Sequence, residues 1–366
     1  MAPYTDKLCD RPNRKLLALD GGGIRGMISI EVLAEIERVL QKELGRDDSF
    51  RLSDYFDYIA GTSTGAIIAA CLAMGKRVDE IRTFYKESGG AMFRRAGFLR
   101  KLRYKFQHLP LAGKLKEVFG EDTRLGSPRL QTLLMLVLRN ATTDSPWPLS
   151  NNPRAKYKDN CDLPLWKLVR ASTAAPTYFA PEEIDVGKKH FVFVDGGITA
   201  YNNPALQLFM MATTEPFNLN WPTGVDKMLL VSVGTGVAAE ANDKLKPGEM
   251  NLLYNATSIP SALMFAALNQ QDFICRALGD CVAGDQIDRE IGTMIGKHGP
   301  GPKLFTYARY NAELTQDGLT ALDVPHIDPK RVQRLDSTDA IPELQEVGKA
   351  VGKKRVDAKH FKDFLT

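Results

Sequence analysis

Apolar residues in the first part of the chain repeat one pattern twice. Residues 16–19 form a short unbroken apolar run that ends at Asp20. Gly21, Gly22 and Gly23 follow, and a helical pattern opens near Arg25. Ile28, Val32, Ile36, Val39 and Leu40 recur at helical spacing, with Glu31, Glu35, Glu37 and Arg38 between them, and Gly45 supplies a stop. Residues 58–60 then run into Gly61-Thr62-Ser63-Thr64-Gly65, and a second apolar helix continues to Met74 and Gly75. A short continuous apolar run reads as a strand buried on both faces, and the wider stripe reads as a helix. Repeated strand, glycine turn and helix predict an α/β fold with a parallel sheet covered on both faces.

The same reading places strands at 133–138, 191–194 and 228–233, and a helix at 165–174 that stops before Pro176. Asn202-Asn203-Pro204 opens another helix. Pro146-Trp147-Pro148 and Asn151-Asn152-Pro153 read as loops. Beyond residue 240 the pattern weakens into helical stretches broken at Pro260 and at 299–302. The expected organisation is therefore a sheet-bearing domain over 14–240 and a helical extension over 241–366 packed on it.

Composition narrows the classes. A hydrophobic content of 44% with 25% charged residues is that of a globular protein. The net charge of +4 comes from 48 basic and 44 acidic residues, which argues against a nucleic-acid polymer as partner. The five cysteines are scattered and make no zinc-spaced set, so no metal is expected and a reduced compartment is. No run approaches the roughly 18 apolar residues of a membrane span, and the polar first residues lack the apolar core of a secretion signal. The expectation is a cytoplasmic protein with peripheral membrane contact at most.

Local charge adds one feature. Between Glu87 and Glu117 there is no acidic residue, while Arg94, Arg95, Arg100, Lys101, Arg103 and Lys105 surround Phe98, Leu99, Leu102 and Phe106. A basic amphipathic helix over 93–106 would suit an anionic lipid surface. An ordinary surface helix with solvated charges carries the same pattern.

The candidate chemistry lies at the glycine turns. Gly61-Thr62-Ser63-Thr64-Gly65 fits a nucleophile elbow, in which a serine sits on a sharp strand-to-helix turn. A Gly/Ser turn capping a helix would look the same. Gly21-Gly22-Gly23 offers bare backbone N–H groups at a helix start, suited to an oxyanion. The same glycines with Gly26 fit a dinucleotide loop, but Asp20 would repel a pyrophosphate and no acid stands at a strand end downstream. Arg25 in the first helical turn opposes the helix dipole and needs a partner: Asp20, a substrate phosphate, or a surface ion pair. Among the five histidines, which include His108, His190 lies on the 191–194 strand approach, and His298, His326 and His360 fall in loop or terminal contexts. Asp195 is better placed as a base, because it ends an apolar strand and Gly196-Gly197 leave room around it. It also reads simply as a turn-forming Asp-Gly.

Taken together, Asp-Gly-Gly-Gly-Ile-Arg-Gly at 20–26, Gly-Thr-Ser-Thr-Gly at 61–65 and Asp-Gly-Gly at 195–197 have the order and spacing of patatin-like phospholipases. The block Ala171-Ser172-Thr173-Ala174-Ala175-Pro176-Thr177-Tyr178-Phe179 resembles the family as well. So do Asn202-Asn203-Pro204 and Ser232-Val233-Gly234-Thr235-Gly236, and the resemblance covers about 14–240. It implies a three-layer α/β/α sandwich with a mainly parallel central sheet. It also implies a lipid acyl hydrolase of phospholipase A type with a Ser–Asp dyad, Ser63 as nucleophile and Asp195 as base. Gly21, Gly22, Gly23 and Arg25 would form the oxyanion hole, and no cofactor is implied. A free aspartate, with a pKa of about 3.9, is a weak base, so the dyad needs a water-poor site to raise it.

The chain also resembles the bacterial phospholipase effectors that cyclic nucleotides switch on in anti-phage defence. That resemblance implies a cyclic di- or trinucleotide activator, a phospholipid membrane as peripheral partner, and a regulatory role for the C-terminal extension. The stretch from Phe305 to Asn311 would then complete a regulatory pocket or simply pack on the core, and a homo-oligomer stays open. Two other readings compete: a carboxylesterase with a Ser–Asp–His triad using His298 or His326, and a non-enzymatic lipid- or nucleotide-binding module. If 93–106 docks on lipid, removing charge at Arg100, Lys101 and Arg103 will lower activity on anionic vesicles more than on a soluble ester. Equal loss on both substrates would remove that role.

Overall fold

The computed structural model describes residues 2–92, 108–176, 178–237 and 252–365. Its strands are β1 (Arg14–Leu19), β2 (Tyr58–Thr62), β3 (Leu133–Asn140), β4 (Ser145–Ser150), β5 (Glu182–Val186), β6 (Lys189–Asp195), β7 (Met228–Val233), β8 (Asp280–Ala283) and β9 (Thr306–Tyr310). The first six helices are α1 (Gly26–Glu43), α2 (Leu52–Tyr55), α3 (Thr64–Ala73), α4 (Val78–Met92), α5 (His108–Phe119) and α6 (Leu165–Ser172). The remainder are α7 (Ala205–Thr213), α8 (Leu252–Leu278), α9 (Gln316–Ala321), α10 (Pro329–Val332) and α11 (Ile341–Arg355).

All nine strands form one sheet in the order β5-β6-β3-β2-β1-β7-β9-β8, with β4 added beside β3. The pairs from β3 through β2, β1, β7 and β9 to β8 are parallel. Every residue of β1, β2, β7 and β9 is buried, as the continuous apolar runs require for strands covered on both faces. Helix α3 is buried along its whole length, so it shows no amphipathic stripe. The fold is the expected three-layer α/β/α arrangement with a mainly parallel sheet.

Three readings differ from the sequence analysis. Pro260, expected to break the chain into a loop, lies inside helix α8. The segment around Pro146-Trp147-Pro148 is not a loop but strand β4, antiparallel to β3. It is an edge strand, and Pro146 and Pro148 stand two residues apart. Their missing N–H groups therefore fall on one side of the strand, the side away from β3. The C-terminal region is not only helical either. It contributes β8 and β9 to the sheet, so the Phe305–Asn311 stretch belongs to the core, as one of its two readings had it, but as a sheet strand over Thr306–Tyr310. Helix α11 also packs closely on α1: a Cβ on Gly348 would lie 2.8 Å from the Ile28 carbonyl oxygen.

The register of β3 sets up the site. Its residues 138–140 pair with both β4 and β6, so these two flank it on opposite sides. Residues 135–137 pair with both β4 and β2, so β2 lies on the same side as β6. Strand β2 runs parallel to β3 and β6 runs antiparallel. Their C-terminal ends thus converge head to head, with Thr62 opposite Val137 and Asp195 opposite the next residue, Leu138.

The turn from β2 into α3 is packed against backbone. A Cβ on Gly65 would sit 2.3 Å from the Leu19 carbonyl oxygen and 2.7 Å from that of Asp20. Gly65→Ala should therefore destabilise the protein by about 2 kcal/mol or more, as core overpacking does. Exposed Gly113 in α5 has nothing within 4 Å of the same position, and Gly113→Ala should gain about 0.5–1 kcal/mol. Urea unfolding of both variants checks the contrast, and equal shifts would contradict the packing account.

Candidate active site

Ser63 occupies the bend between β2 and α3 with φ of +54° and ψ of −121°. A non-glycine residue there carries about 1–3 kcal/mol of strain. Three contacts hold it. The Ser63 N–H donates to the Ser172 hydroxyl at 2.9 Å, and that hydroxyl donates to the Val137 carbonyl at 2.6 Å. The Thr62 hydroxyl donates to the Tyr201 carbonyl at 2.7 Å. Ser172 thus bolts the bend to β3 from the end of α6. The bend also starts α3, whose N-terminus favours negative charge at the serine.

Asp195 reaches the same point from the opposite direction. The Ser63 hydroxyl donates to Asp195 Oδ2 at 2.6 Å, and the Gly197 N–H donates to Oδ1 at 2.7 Å. The Asp195 side chain is therefore fixed at both oxygens. Only 4% of the residue is exposed. Burial pushes its carboxyl up to about 6, against the opposing pull of the Ser63 and Gly197 hydrogen bonds and of the Arg170 charge. At neutral pH the carboxylate is mostly ionised yet far more basic than a free aspartate.

The glycine loop passes against Ser63: a Cβ on Gly21 would lie 3.2 Å from the Ser63 Cβ. Such a Cβ would also stand 2.3 Å from Asn202 Oδ1, so a larger residue here would displace that amide. The Gly21 N–H donates to the Asn202 carbonyl at 3.1 Å, and the Thr235 hydroxyl donates to the Gly21 carbonyl at 2.9 Å. This narrows the expected set of oxyanion donors, because the Gly21 N–H is already engaged. The Gly22 and Gly23 N–H groups have no acceptor among the described residues.

Arg25 does not pair with Asp20. Its Nη1 donates to the Gln333 carbonyl at 3.4 Å, and burial lowers its pKa to about 10, opposed by the charge of Asp20. Asp20 is instead gripped by Arg309, whose Nη1 and Nη2 donate to its two oxygens at 2.9 and 2.5 Å. Both residues are buried. Burial disfavours the charged guanidinium, but Asp20 more than offsets this and the Arg309 pKa rises.

Of the four histidines whose side chains are described, three make contacts elsewhere. His190 meets Asp185, His326 meets Glu346 and His360 meets Tyr310. None of them, His298 included, hydrogen-bonds Ser63 or Asp195. Arg100, Lys101 and Arg103 lie outside the described residues, as does the rest of 93–106. No group of metal-ligating side chains occurs among the described residues.

Arg170, Ser172, Asn202 and Arg309 carry site geometry that the motifs alone did not assign. Arg309 left a readable trace, a lone charge inside the apolar run from Phe305 to Tyr310. Arg170 left none, because a charge on an amphipathic helix is ordinary; here it is 1% exposed, with Nη2 donating to the Ala180 carbonyl at 3.1 Å.

Residues 17–209 match the family model described as patatin-like phospholipase. The chain belongs to the patatin-like phospholipase family. It is 32% identical over 203 residues to a cGAMP-activated phospholipase of Vibrio cholerae, covering 52% of this chain and 55% of that one. A cGAMP-activated phospholipase of Escherichia coli is 33% identical over 201 residues, with 54% and 55% covered. Patatin-like protein 1 of Arabidopsis thaliana is 30% identical over 322 residues, covering 76% of this chain and 77% of that one. The match thus spans about half the length of the two bacterial relatives and most of the plant one. Ser63, Asp195 and the glycine loop all lie inside the patatin-like span, whereas Thr235, Arg309 and Gln333 lie beyond it.

The raised Asp195 pKa has a cost in stability. Its folded value lies above the usual carboxylate range, so folding loses stability as pH rises from about 4 through about 6. Asp195→Asn removes that loss while giving up part of the hydrogen bonding. The variant should be more stable than the parent by about 1–2 kcal/mol at pH 7.5, with the gain gone at pH 4. Melting temperatures at the two pH values check the sign. A gain that is larger at pH 4 would contradict the buried-carboxylate account.

Proposed function

We propose that the protein is a lipid acyl hydrolase of phospholipase A type, cleaving ester bonds of glycerophospholipids with Ser63 as nucleophile and Asp195 as its base. One observation carries the reading: a serine hydroxyl on a left-handed bend donates at 2.6 Å to a buried, basic carboxylate. Ser63 Oγ attacks the ester carbonyl as its proton passes to Asp195 Oδ2. The Gly22 and Gly23 N–H groups stabilise the oxyanion, at about 3–4 kcal/mol for a good donor. The tetrahedral intermediate expels the lysophospholipid alkoxide, which takes the proton from Asp195. Water then attacks the acyl-serine, Asp195 again receives the proton, and fatty acid leaves as that proton returns to Ser63.

The names of the two bacterial relatives, cGAMP-activated phospholipases, support a second component: a cyclic nucleotide of the cGAMP type switches the enzyme on. A role for membrane cleavage in anti-phage defence rests on the motif resemblance alone. No helix among the described residues is long and apolar enough to cross a membrane. The enzyme would then meet its substrate from the bilayer surface. A histidine-based triad gains nothing from the contacts described for His190, His326 and His360, and His298 hydrogen-bonds neither Ser63 nor Asp195. A binding module without chemistry has no use for a strained serine held against a basic carboxylate.

Fatty-acid release from mixed phospholipid vesicles, with and without cyclic di- and trinucleotides, tests both components. Ser63→Ala and Asp195→Ala should each lower release by about 10²–10⁴-fold. For the active form, kcat/KM should fall as pH drops through about 6, since protonated Asp195 cannot accept the Ser63 proton. Release that survives Ser63→Ala would overturn the catalytic assignment. Full release without any nucleotide would leave the hydrolase and remove the switch.

A further inference from the structure

The acyl-hydrolase reading leaves open what holds the glycine loop in place, and the inference drawn here rests on that reading. The loop is a run of backbone with no side chains of its own until Ile24, so its position is set by its partners. From the sheet, the Asp20 N–H donates to the Val233 carbonyl at 3.1 Å. From beyond residue 300 come three further holds. Arg309 on β9 binds both oxygens of Asp20, the residue immediately before the loop. The Leu335 carbonyl accepts the Ile24 N–H at 3.0 Å, and the Gln333 carbonyl accepts Arg25 Nη1. Gln333 is itself anchored by its side-chain amide on the Leu314 carbonyl at 2.8 Å. Gly23, at φ of +58°, lies so close to Leu335 that a Cβ would stand 2.4 Å from its carbonyl oxygen.

Arg309 does more than neutralise a buried carboxylate. Its Nη1 also donates to the Ser232 hydroxyl at 2.7 Å, which donates to Asn203 Oδ1 at 3.2 Å. Asn203 follows Asn202, whose carbonyl takes the Gly21 N–H. One guanidinium thereby connects the end of β1, strand β7 and the Asn202-Asn203 turn, and all three border the glycine loop.

We propose that Arg309 is a positioning residue for the reaction: through Asp20 and Ser232 it holds the Gly22 and Gly23 N–H groups where the oxyanion forms. The C-terminal region is then part of the catalytic apparatus without touching substrate. A displacement of about 1 Å in such a donor costs on the order of 10²-fold in rate. The loss falls on kcat, because the oxyanion exists only in the transition state and not in bound substrate.

The test uses the full chain, in its nucleotide-activated form if activation is required, with three variants: Arg309→Lys, Arg309→Met, and Asp20→Asn with Arg309→Met. The double variant removes both charges and avoids leaving Asp20 buried and unpaired. Hydrolysis of a soluble p-nitrophenyl ester gives kcat and KM, melting reports folding, and backbone hydrogen exchange reports on 22–25. The expected result is a folded double variant with kcat down about 10²-fold, KM within about threefold and faster exchange at 22–25. Arg309→Lys should recover part of the kcat, since it keeps the charge without the two-pronged geometry. A folded double variant with kcat within threefold of the parent would overturn the proposal, as would a loss confined to KM. If neither charge-removing variant folds, Arg309→Lys decides: unchanged kcat and unchanged exchange at 22–25 overturn it. If the parent's hydrolysis does not depend on Ser63, the acyl-hydrolase reading is what has failed. The exchange at 22–25 then decides the loop-holding claim alone, and unchanged exchange rejects it.

Discussion

Everything at the site depends on two strands meeting end to end along β3. A strand alternates its side chains and fixes its register by hydrogen bonding, so pairing β2 and β6 to successive stretches of β3 places Thr62 and Asp195 opposite adjacent residues. The chain leaves β2 into a helix and leaves β6 into a turn, and both exits occur at one point. Ser63 and Asp195 are 132 positions apart in sequence, yet a single strand is the ruler for both. Ser172 reinforces that arrangement, because it hydrogen-bonds both the bend and the Val137 carbonyl of β3.

The arrangement carries unfavourable terms that the rest of the fold offsets. A left-handed serine and a carboxylate held near pH 6 each cost free energy of about 1–3 kcal/mol. These are tolerated because the turn sits between fully buried elements: β2 on one side and α3 on the other, with Gly65 against the β1 carbonyls. A looser surrounding would let the serine relax to an ordinary conformation and let water reach Asp195, lowering its basicity. Site chemistry and core packing are thus the same constraint viewed at two places.

The C-terminal region belongs to this constraint as well. It completes the sheet with β8 and β9 and seats α11 on α1, the helix that follows the glycine loop. It also supplies the buried Arg309 that answers Asp20. Leaving either member of such a pair alone in the interior costs about 3–5 kcal/mol, so the loop and the C-terminal strands are energetically tied. The boundary near residue 240 marks a change in sequence pattern, but the sheet and the ion pair run across it.

What the sequence by itself determined is local. Short unbroken apolar runs bounded by glycine turns read as doubly covered strands, and helical stripes beginning at those turns read as the helices that follow them. Gly61-Thr62-Ser63-Thr64-Gly65 and Asp195-Gly196-Gly197 already marked a candidate nucleophile and a candidate base at strand ends. Edge strand β4 was hidden because prolines normally argue against a ladder. Strands β8 and β9 were hidden because short runs between helices have no periodicity long enough to read. Only the tertiary structure decided that β6 runs antiparallel and meets β2 head-on. Only it decided that Gly21 spends its N–H on Asn202, and that Asp20 answers Arg309 rather than Arg25. Each of these is a choice among partners distant in the chain. Periodicity and motif spacing record a residue's own environment, not which of several distant groups comes to occupy it.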